Sequence, residues 1–266
     1  MQTTRPARFA TGAANWWGLW TLYIKEVRRF FKVPAQTLVA PTATALLMLA
    51  IFSLALGGAL RTVGDVPFLE FLAPGLIMMT IIQSAFANTS SSIVISMLQG
   101  NIVDLLMTPL SSGEIALGIA LGGLSRGLVA SAVLLAAMQP FVQVWPQHLG
   151  YVVFHAAAAG LALAQFGLIT GIWVDKFDQM AAATNFVITP AAFLSGTFYS
   201  IERLPEFLQA VSQVNPFFYM IDGFRYGFIG TADGSLAAGI AVMVGVNVAL
   251  WLVCHRMLTS GYKLKP

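Results

Sequence analysis

The chain has 266 residues, 58% of them apolar and 9% charged, with a formal net charge of +3 at pH 7. A soluble domain carries about a quarter charged residues, so this composition cannot solvate a globular surface, and the chain reads as one polytopic, all-α integral membrane domain spanning residues 1–266. The basic residues gather near the two ends instead of forming a stripe that tracks phosphates, which argues against nucleic acid. Cys254 is the single cysteine, so no intrachain disulfide forms, and His148, His155 and His255 share no ligand spacing with it.

No compact apolar run with a small-residue cleavage site precedes the first long apolar stretch, so no cleaved signal peptide is expected. What precedes it is "NWWGLWTLYIKEVRRFFK". At about 100° per residue, Trp16, Leu19, Trp20, Tyr23, Ile24, Val27, Phe30 and Phe31 share one arc, with Lys25, Arg28, Arg29 and Lys32 opposite. This predicts an amphipathic interfacial helix whose aromatic face meets lipid and whose basic face meets anionic headgroups or cytoplasm. Residues 1–36 form this tail and helix, and residues 37–266 the six-helix membrane core.

Windows of about 20 apolar residues mark six candidate spans, at 37–56, 71–95, 115–142, 150–174, 180–199 and 236–258. An even number places both termini on one side. Arg5, Arg8, Lys25, Arg28, Arg29 and Lys32 at one end and Arg256, Lys263 and Lys265 at the other, against Arg61 alone in the first outer loop, put both termini in the cytoplasm.

The second span carries a polar side. Thr80, Ser84, Asn88 and Ser91 recur at helical spacing, with Gln83 and Ser92 adjacent, which suits a substrate path, a closed subunit seam or ordinary helix packing. Between the second and third spans lies "QGNIVDLLMTPLSSGEIALG". Asn101 is placed to cap a turn of Ile102, Val103, Asp104, Leu105, Leu106 and Met107, Pro109 forbids its continuation, and Ser111 with Glu114 matches a capping box that opens the third span. The product is a short apolar helix at the cytoplasmic side. An exposed knob of this kind suits docking by a soluble protein, the plainer reading being a helix lying flat on the membrane.

In the third span Arg126 needs a carboxylate, a carbonyl or the interface as partner, and snorkelling is the expected answer. The pairs Gly118/Gly122, Gly123/Gly127 and Gly167/Gly171 have the small-xxx-small spacing of close helix packing. After the fifth span, "LSGTFYSIERLPEFLQAVSQVNPFFYMIDGFRYGFIG" is too polar to cross and too apolar for a plain loop. It predicts one or two short outer helices punctuated by Pro205 and Pro216, with Asp222 and Arg225 spaced to pair.

Catalysis finds no support. No Gly-Lys pair occurs, so the chain has no phosphate-cradling loop; no H-E-x-x-H or G-x-S-x-G pattern is present, and Asp65, Glu70, Asp104, Glu114, Asp175 and Asp178 fall mostly at loop positions.

Three stretches in order, "FLAPGLIMMTIIQSAFANTSSS", "NIVDLLMTPLSSGEIALGIALGGLSRGL" and "FLSGTFYSIERLPEFLQAVSQVNPFFYMIDGFR", resemble the ABC-2 type permeases, the membrane subunits of ATP-binding-cassette exporters; Ser200 replaces the proline usual after the "FLSGxFY" pattern. The resemblance implies a six-helix permease of the bacterial inner membrane that forms a homodimer and binds two copies of an ABC ATPase subunit. ATP and Mg would be held by that partner, and this chain would hold no cofactor. The stretch Asn101, Ile102, Val103, Asp104, Leu105, Leu106, Met107 and Pro109 would be the coupling helix seated on the ATPase, and the helix with Trp20, Lys25, Glu26, Arg28 and Arg29 the connecting helix. Thr80, Gln83, Ser84, Asn88 and Ser91 would line the path or dimer seam, and Tyr199, Asn215, Pro216, Tyr219, Asp222 and Arg225 the outer gate. The implied cargo is a drug, lipid or lipid-linked glycan; an ion-coupled secondary transporter and a non-transporting scaffold are the alternative readings.

Overall fold

A computed structural model describes residues 15–55, 62–64, 66–201 and 204–264. Arg5, Arg8, Arg61, Asp65 and Lys265, and the end of the first expected span at residue 56, lie outside them. The Asn15 side chain accepts a hydrogen bond from the Gly18 N–H at 3.0 Å and starts α1 (Trp16–Phe31). After Pro34 a π turn (Ala35–Val39) leads into α2 (Ala40–Ala55). A hairpin of two-residue strands, β1 (Thr62–Val63) and β2 (Val66–Pro67), then turns the chain into α3 (Phe68–Leu98). This hairpin departs from the all-helical expectation.

The helix α4 (Ile102–Met107) and the span α5 (Ser112–Met138) follow, then α6 (Leu149–Trp173). Next come α7 (Phe177–Ala183), a second π turn (Thr184–Ile188) and α8 (Thr189–Leu194). Two further short helices, α9 (Glu206–Val214) and α10 (Pro216–Ile229), precede α11 (Leu236–Ser260).

Among the described residues five helices are long and apolar enough to cross a membrane: Ala35–Leu54, Phe68–Leu98, Ser112–Met138, Leu149–Trp173 and Leu236–Ser260. The stretch expected to span at 180–199 is helical over 177–194 and is broken by the π turn. Its hydropathy is diluted by Asp178, Gln179, Thr184, Asn185 and Thr189, and Gly196, at φ +78°, follows its end. The third span likewise ends at Met138, short of Val142.

Helix α3 is the hub, packed against α6, α5, α10 and α2. Its 31 residues extend about 46 Å, well beyond the ~30 Å of a hydrocarbon core. Neighbours approach it through glycine. A Cβ at Gly123 would meet the Thr89 side chain at 2.7 Å, and one at Gly167 would lie 2.6 Å from the Phe86 carbonyl oxygen. The spacing read as close packing is therefore used that way, as in bundles where small residues admit a neighbouring backbone.

Helix α1 lies beside the first half of α5 and points the same way: Gly18 abuts Leu110, Leu22 abuts Gly118, and Glu26 abuts Gly122. Its packed face is Leu19, Leu22, Glu26 and Phe30. That corrects the expected arc. Trp16, Trp20 and Phe31 stay exposed, but Leu19 and Phe30 turn inward, and so does Glu26, because the α5 glycines leave room there.

Overpacking a close helix contact costs about 1–3 kcal/mol. Gly167→Ala is expected to lower the midpoint of thermal unfolding in detergent, whereas Gly245→Ala, with nothing within 4 Å of its Cβ, leaves it unchanged. Equal midpoints for the two variants would contradict the α3–α6 approach.

Candidate functional site

Three groups of the named residues can be located, two at opposite ends of the bundle and one partway along it. At the first end α4 projects between α3 and α5. Pro109 stops it, and the capping box forms as read: the Ser111 N–H donates to Glu114 Oε2 at 2.6 Å and the Glu114 N–H to Ser111 Oγ at 3.3 Å. The other carboxylate oxygen, Oε1, accepts the N–H of Asn15, while Asn15 Nδ2 donates to the Pro109 carbonyl at 3.2 Å. One carboxylate thus joins the starts of α1 and α5. Sequence reasoning saw the box and missed Asn15, although an Asn directly ahead of an amphipathic run is a helix-start signal.

Asn101 occupies the N-cap position of α4 but makes no capping bond; its Nδ2 donates to Gln99 Oε1 instead, since the backbone there is already helical. Nor is the short helix apolar on its outer side alone. Ile102 and Leu105 are buried in a cluster with Leu22, Ile93, Ile115 and Leu258. The outward face is Val103, Asp104 and Met107, Met107 being 77% exposed, with Leu106 half-buried and Pro109 exposed. Leu105 belongs to the core.

The second group joins α1 to α3. Arg29 forms an ion pair with Glu26 at 3.0 Å, donates to Ser91 Oγ at 3.2 Å and donates to the Asn88 carbonyl. Ser92 Oγ donates to the other oxygen of Glu26 at 2.8 Å, and Glu26 is 1% exposed. Of the expected basic face, Lys25, Arg28 and Lys32 remain exposed while Arg29 turns inward to this carboxylate. The Asn88 amide is fully buried, with no partner for either side-chain atom, beside Gly122. On the same helix Thr80 and Ser84 are buried, Thr80 donating to its own Leu76 carbonyl at 3.0 Å, and Gln83 is half-buried. Arg126 is half-buried, its Nε lacking a partner. The structure brings Asn88 and Ser91 to Glu26 and Arg29; Thr80, Gln83 and Ser84 lie farther along α3.

At the opposite end, Asp222 and Arg225 do not pair. Both oxygens of Asp222 accept backbone N–H groups, Asp233 at 2.8 Å and Gly234 at 3.1 Å. Arg225 Nη2 donates to the Gly196 carbonyl at 2.6 Å, and its guanidinium lies 3.8 Å from the centre of the Phe71 ring. Spacing made a pair available, but a carboxylate facing two free N–H groups and a guanidinium facing helix-end carbonyls are better satisfied apart. Each is 3% exposed. Burial pushes the Asp222 carboxyl above its ordinary range, opposed by the Asp233 N–H and the Arg225 charge. Because α10 measures about 21 Å, it is too short to cross a bilayer.

The remaining members close the end of α8. Asn215 caps α10 by accepting the Phe217 N–H at 3.1 Å, with Pro216 at the first turn, and its Nδ2 donates to Ala191 O at 2.9 Å and Ser195 Oγ at 2.8 Å. Tyr199 OH donates to Phe193 O at 3.1 Å and Ser212 Oγ to Leu194 O at 3.0 Å. Gly75 of α3 admits the turn, since a Cβ there would lie 2.5 Å from Thr197 O. Tyr219 is half-buried beside Gly239 of α11. Phe71, Gly75, Ser195 and Asp233 were missed; only the Asp-Gly turn at Asp233 carried a local signal.

Long apolar helices around a polar central helix, a short helix projecting at one end and a braced helical cap at the other describe a multi-pass transport permease. The family model described as ABC-2 type transporter matches residues 18–229, and the chain belongs to that family. It is 35% identical over 250 residues to the inner membrane transport permease YadH of Escherichia coli K12, covering 94% of this chain and 98% of that relative. It is 24% identical over 266 residues to nodulation protein J of Neorhizobium galegae, covering 94% and 96%. Nodulation protein J of Rhizobium leguminosarum bv. trifolii is 27% identical over 229 residues, covering 82% and 83%. The chain is thus a multi-pass permease of the bacterial inner-membrane type, from a family that works with an ABC ATPase.

Asp222→Asn sets an amide NH2 against one of two backbone N–H donors, a buried mismatch of about 1–3 kcal/mol. The variant is expected to unfold at lower temperature and to expose residues 230–235 to protease. Unchanged melting and unchanged cleavage would show that the carboxylate does not hold that loop.

Proposed function

We propose that this chain is the membrane-spanning subunit of an ATP-driven exporter, moving a hydrophobic or amphipathic cargo outward by alternating access. It would act as one six-span domain, the expected 180–199 span, helical over 177–194, being the fifth crossing, with both termini and α4 in the cytoplasm. Two copies would form a homodimer and engage two ABC ATPase subunits, which bind ATP and Mg. This chain transmits force and lines the route.

The observation that carries the proposal is the outward face of α4. Val103, Asp104 and Met107 are exposed on a helix whose inner face is buried and whose flank is clamped by Glu114 to Asn15 and Ser111. A rigid, partly apolar projection suits a docking partner, and a push on it reaches α1 and α5 together. Ligands shift a two-state element only through differential affinity for its states, so the ATPase must grip this face differently before and after binding ATP. Within the same proposal, Glu26 and Arg29 couple α1 to the Ser91 region of α3, and the cap built on Asn215, Tyr199, Asp222 and Arg225 is the outer gate.

Val103→Glu with Met107→Glu changes the docking face without entering the core. With the ABC ATPase that co-purifies with the tagged chain, the double variant is expected to lose at least about tenfold of the permease-stimulated ATP hydrolysis, equivalent to about 1.4 kcal/mol, while inserting and eluting as the parent does. Full stimulation by the well-folded variant overturns the docking role. A single-site Leu105→Glu variant cannot serve, because Leu105 is buried.

A further inference from the structure

Helix α4 cannot hold its own position. Its six residues fall well short of the ~12–15 that an isolated helix needs, and Asn101 makes no capping bond at its start. What fixes it is the burial of Ile102 and Leu105 in a cluster that includes Leu22 of α1, Ile93 of α3, Ile115 of α5 and Leu258 of α11. One further member comes from beyond the last helix. Leu264 is 3% exposed and belongs to the same cluster.

The turn that brings Leu264 there is specified residue by residue. Gly261, at φ +68°, ends α11, and its N–H and that of Tyr262 both donate to the Met257 carbonyl, at 3.1 and 3.2 Å. The Leu264 N–H then closes on the Gly261 carbonyl at 3.1 Å. Between them Lys263 takes φ +54°, alone among the described non-glycine residues in the left-handed region. That conformation is unfavourable for an L side chain and persists only where the surroundings over-determine it. Two contacts do so. Lys263 Nζ donates at 2.7 Å to the carbonyl of Trp173, the last residue of α6, and pairs with Asp175 at 3.1 Å. A cation at the final carbonyls of a helix is favoured by the helix dipole. The Asp175 side chain is 65% exposed, so the ion pair itself adds little.

We propose that Lys263 and Leu264 form a latch that positions α4 for its ATPase, Lys263 tying the end of α11 to the end of α6 and so setting Leu264 in the cluster beneath Ile102 and Leu105. Neither residue belongs to the docking face of Val103, Asp104 and Met107. The latch acts by keeping that face in one orientation. Without it only a fraction of chains presents α4 correctly, and the apparent dissociation constant for the ATPase rises by the inverse of that fraction. Once docked, α4 still pushes α1 and α5 through the Glu114 clamp. The inference rests on the docking role of α4 proposed above, except that the tie between the latch and α4 can be read without any ATPase present.

The test uses the full chain in nanodiscs, first alone and then with the co-purifying ABC ATPase isolated and added back in increasing amounts. Lys263→Met keeps the aliphatic stem and removes the ammonium, and Leu264→Ala empties the buried position. In each, amide hydrogen exchange at residues 102–108 is expected to quicken while α3 exchanges as in the parent. The ATPase concentration for half-maximal stimulation should rise at least about threefold with the maximal rate unchanged. Lys263→Arg, whose guanidinium can reach the same carbonyl, should restore the parental values, and Tyr262→Ala, at the half-exposed neighbour, should alter none of them. If Leu264→Ala fails to insert, Lys263→Met carries the test. Parental exchange at 102–108 overturns the latch and leaves the docking role intact. Quickened exchange with an unchanged half-maximal concentration overturns its part in docking, and equal loss of protection in α3 overturns it as mere loosening of the bundle. Should the Val103→Glu, Met107→Glu double variant stimulate fully, the docking role itself has failed, and exchange alone decides whether the latch holds α4.

Discussion

Inside a bilayer no water repairs an unpaired polar group, and α3 is where this chain meets that constraint most severely. It is 31 residues long, buried on most sides, and carries Thr80, Ser84, Asn88, Thr89, Ser90 and Ser92 inward. Several of its hydroxyls answer the constraint by bonding their own helix, Thr89 and Ser90 both donating to the Phe86 carbonyl, at 3.2 and 2.7 Å, while Ser92 bonds Glu26 of α1. Hydroxyls bonded within their own helix leave its flanks free for shape, and glycines of α5 and α6 bring their backbones onto it, Gly127 toward Ile81 and Gly171 toward Ser90. The arrangement of the other spans follows from how closely they approach this one helix.

Charge enters where that scheme permits. At one end the Glu114 carboxylate receives two N–H groups from different helices, and partway along α1 the Glu26 carboxylate receives Arg29 and Ser92. At the other end Asp222 and Arg225 are nearly inaccessible and bind the backbone of two different loops. Ionised groups that hold backbone make charge-assisted bonds with fixed geometry, so these residues stiffen the corners of the bundle. Under the proposed function a stiff corner at α4 would pass displacement into α1 and α5, and the α10 cap would carry the 196–201 turn and the 233–234 loop as one piece. The alternating access proposed above would need rigid parts that move against each other, and these corners are where such rigidity is built.

The legible features were the local ones. Apolar runs showed five of the six expected spans to within a few residues, Ser111 with Glu114 showed the capping box, and Pro205 and Pro216 marked the starts of α9 and α10. What sequence could not show were choices made by distant partners. Spacing put Asp222 and Arg225 within reach of each other, but N–H groups 11 and 12 residues ahead and a carbonyl 29 residues back competed successfully. Periodicity placed Arg29 with the solvent-facing cations, and a buried glutamate on its own helix drew it inward. A helical wheel also assigned the aromatic side of α1 to lipid, because nothing local reveals that Gly118 and Gly122, each 96 residues farther along the chain, would admit Leu22 and Glu26.

Burial is uneven across the bundle, and the unevenness carries meaning. α3 is enclosed, whereas α11 and α2 keep most of their surface outside: Val244, Val248 and Leu252 on one, Leu47, Ile51 and Leu54 on the other. A second exposed apolar face joins α8 to α9 through Phe186, Phe207 and Val214. In lipid such surfaces cost nothing, because hydrocarbon is as apolar as the side chains, so association is decided by packing and by the few polar atoms at the contact. The α8–α9 face borders the Asn215 cap at its polar end, while beneath the α11 face Asn247 ties α11 to α6 by donating to the Ala158 carbonyl at 3.0 Å. The two surfaces therefore differ in what matters in a membrane: the first offers shape beside a capped helix end, whereas the polar atoms under the second are turned inward to hold α11 against α6.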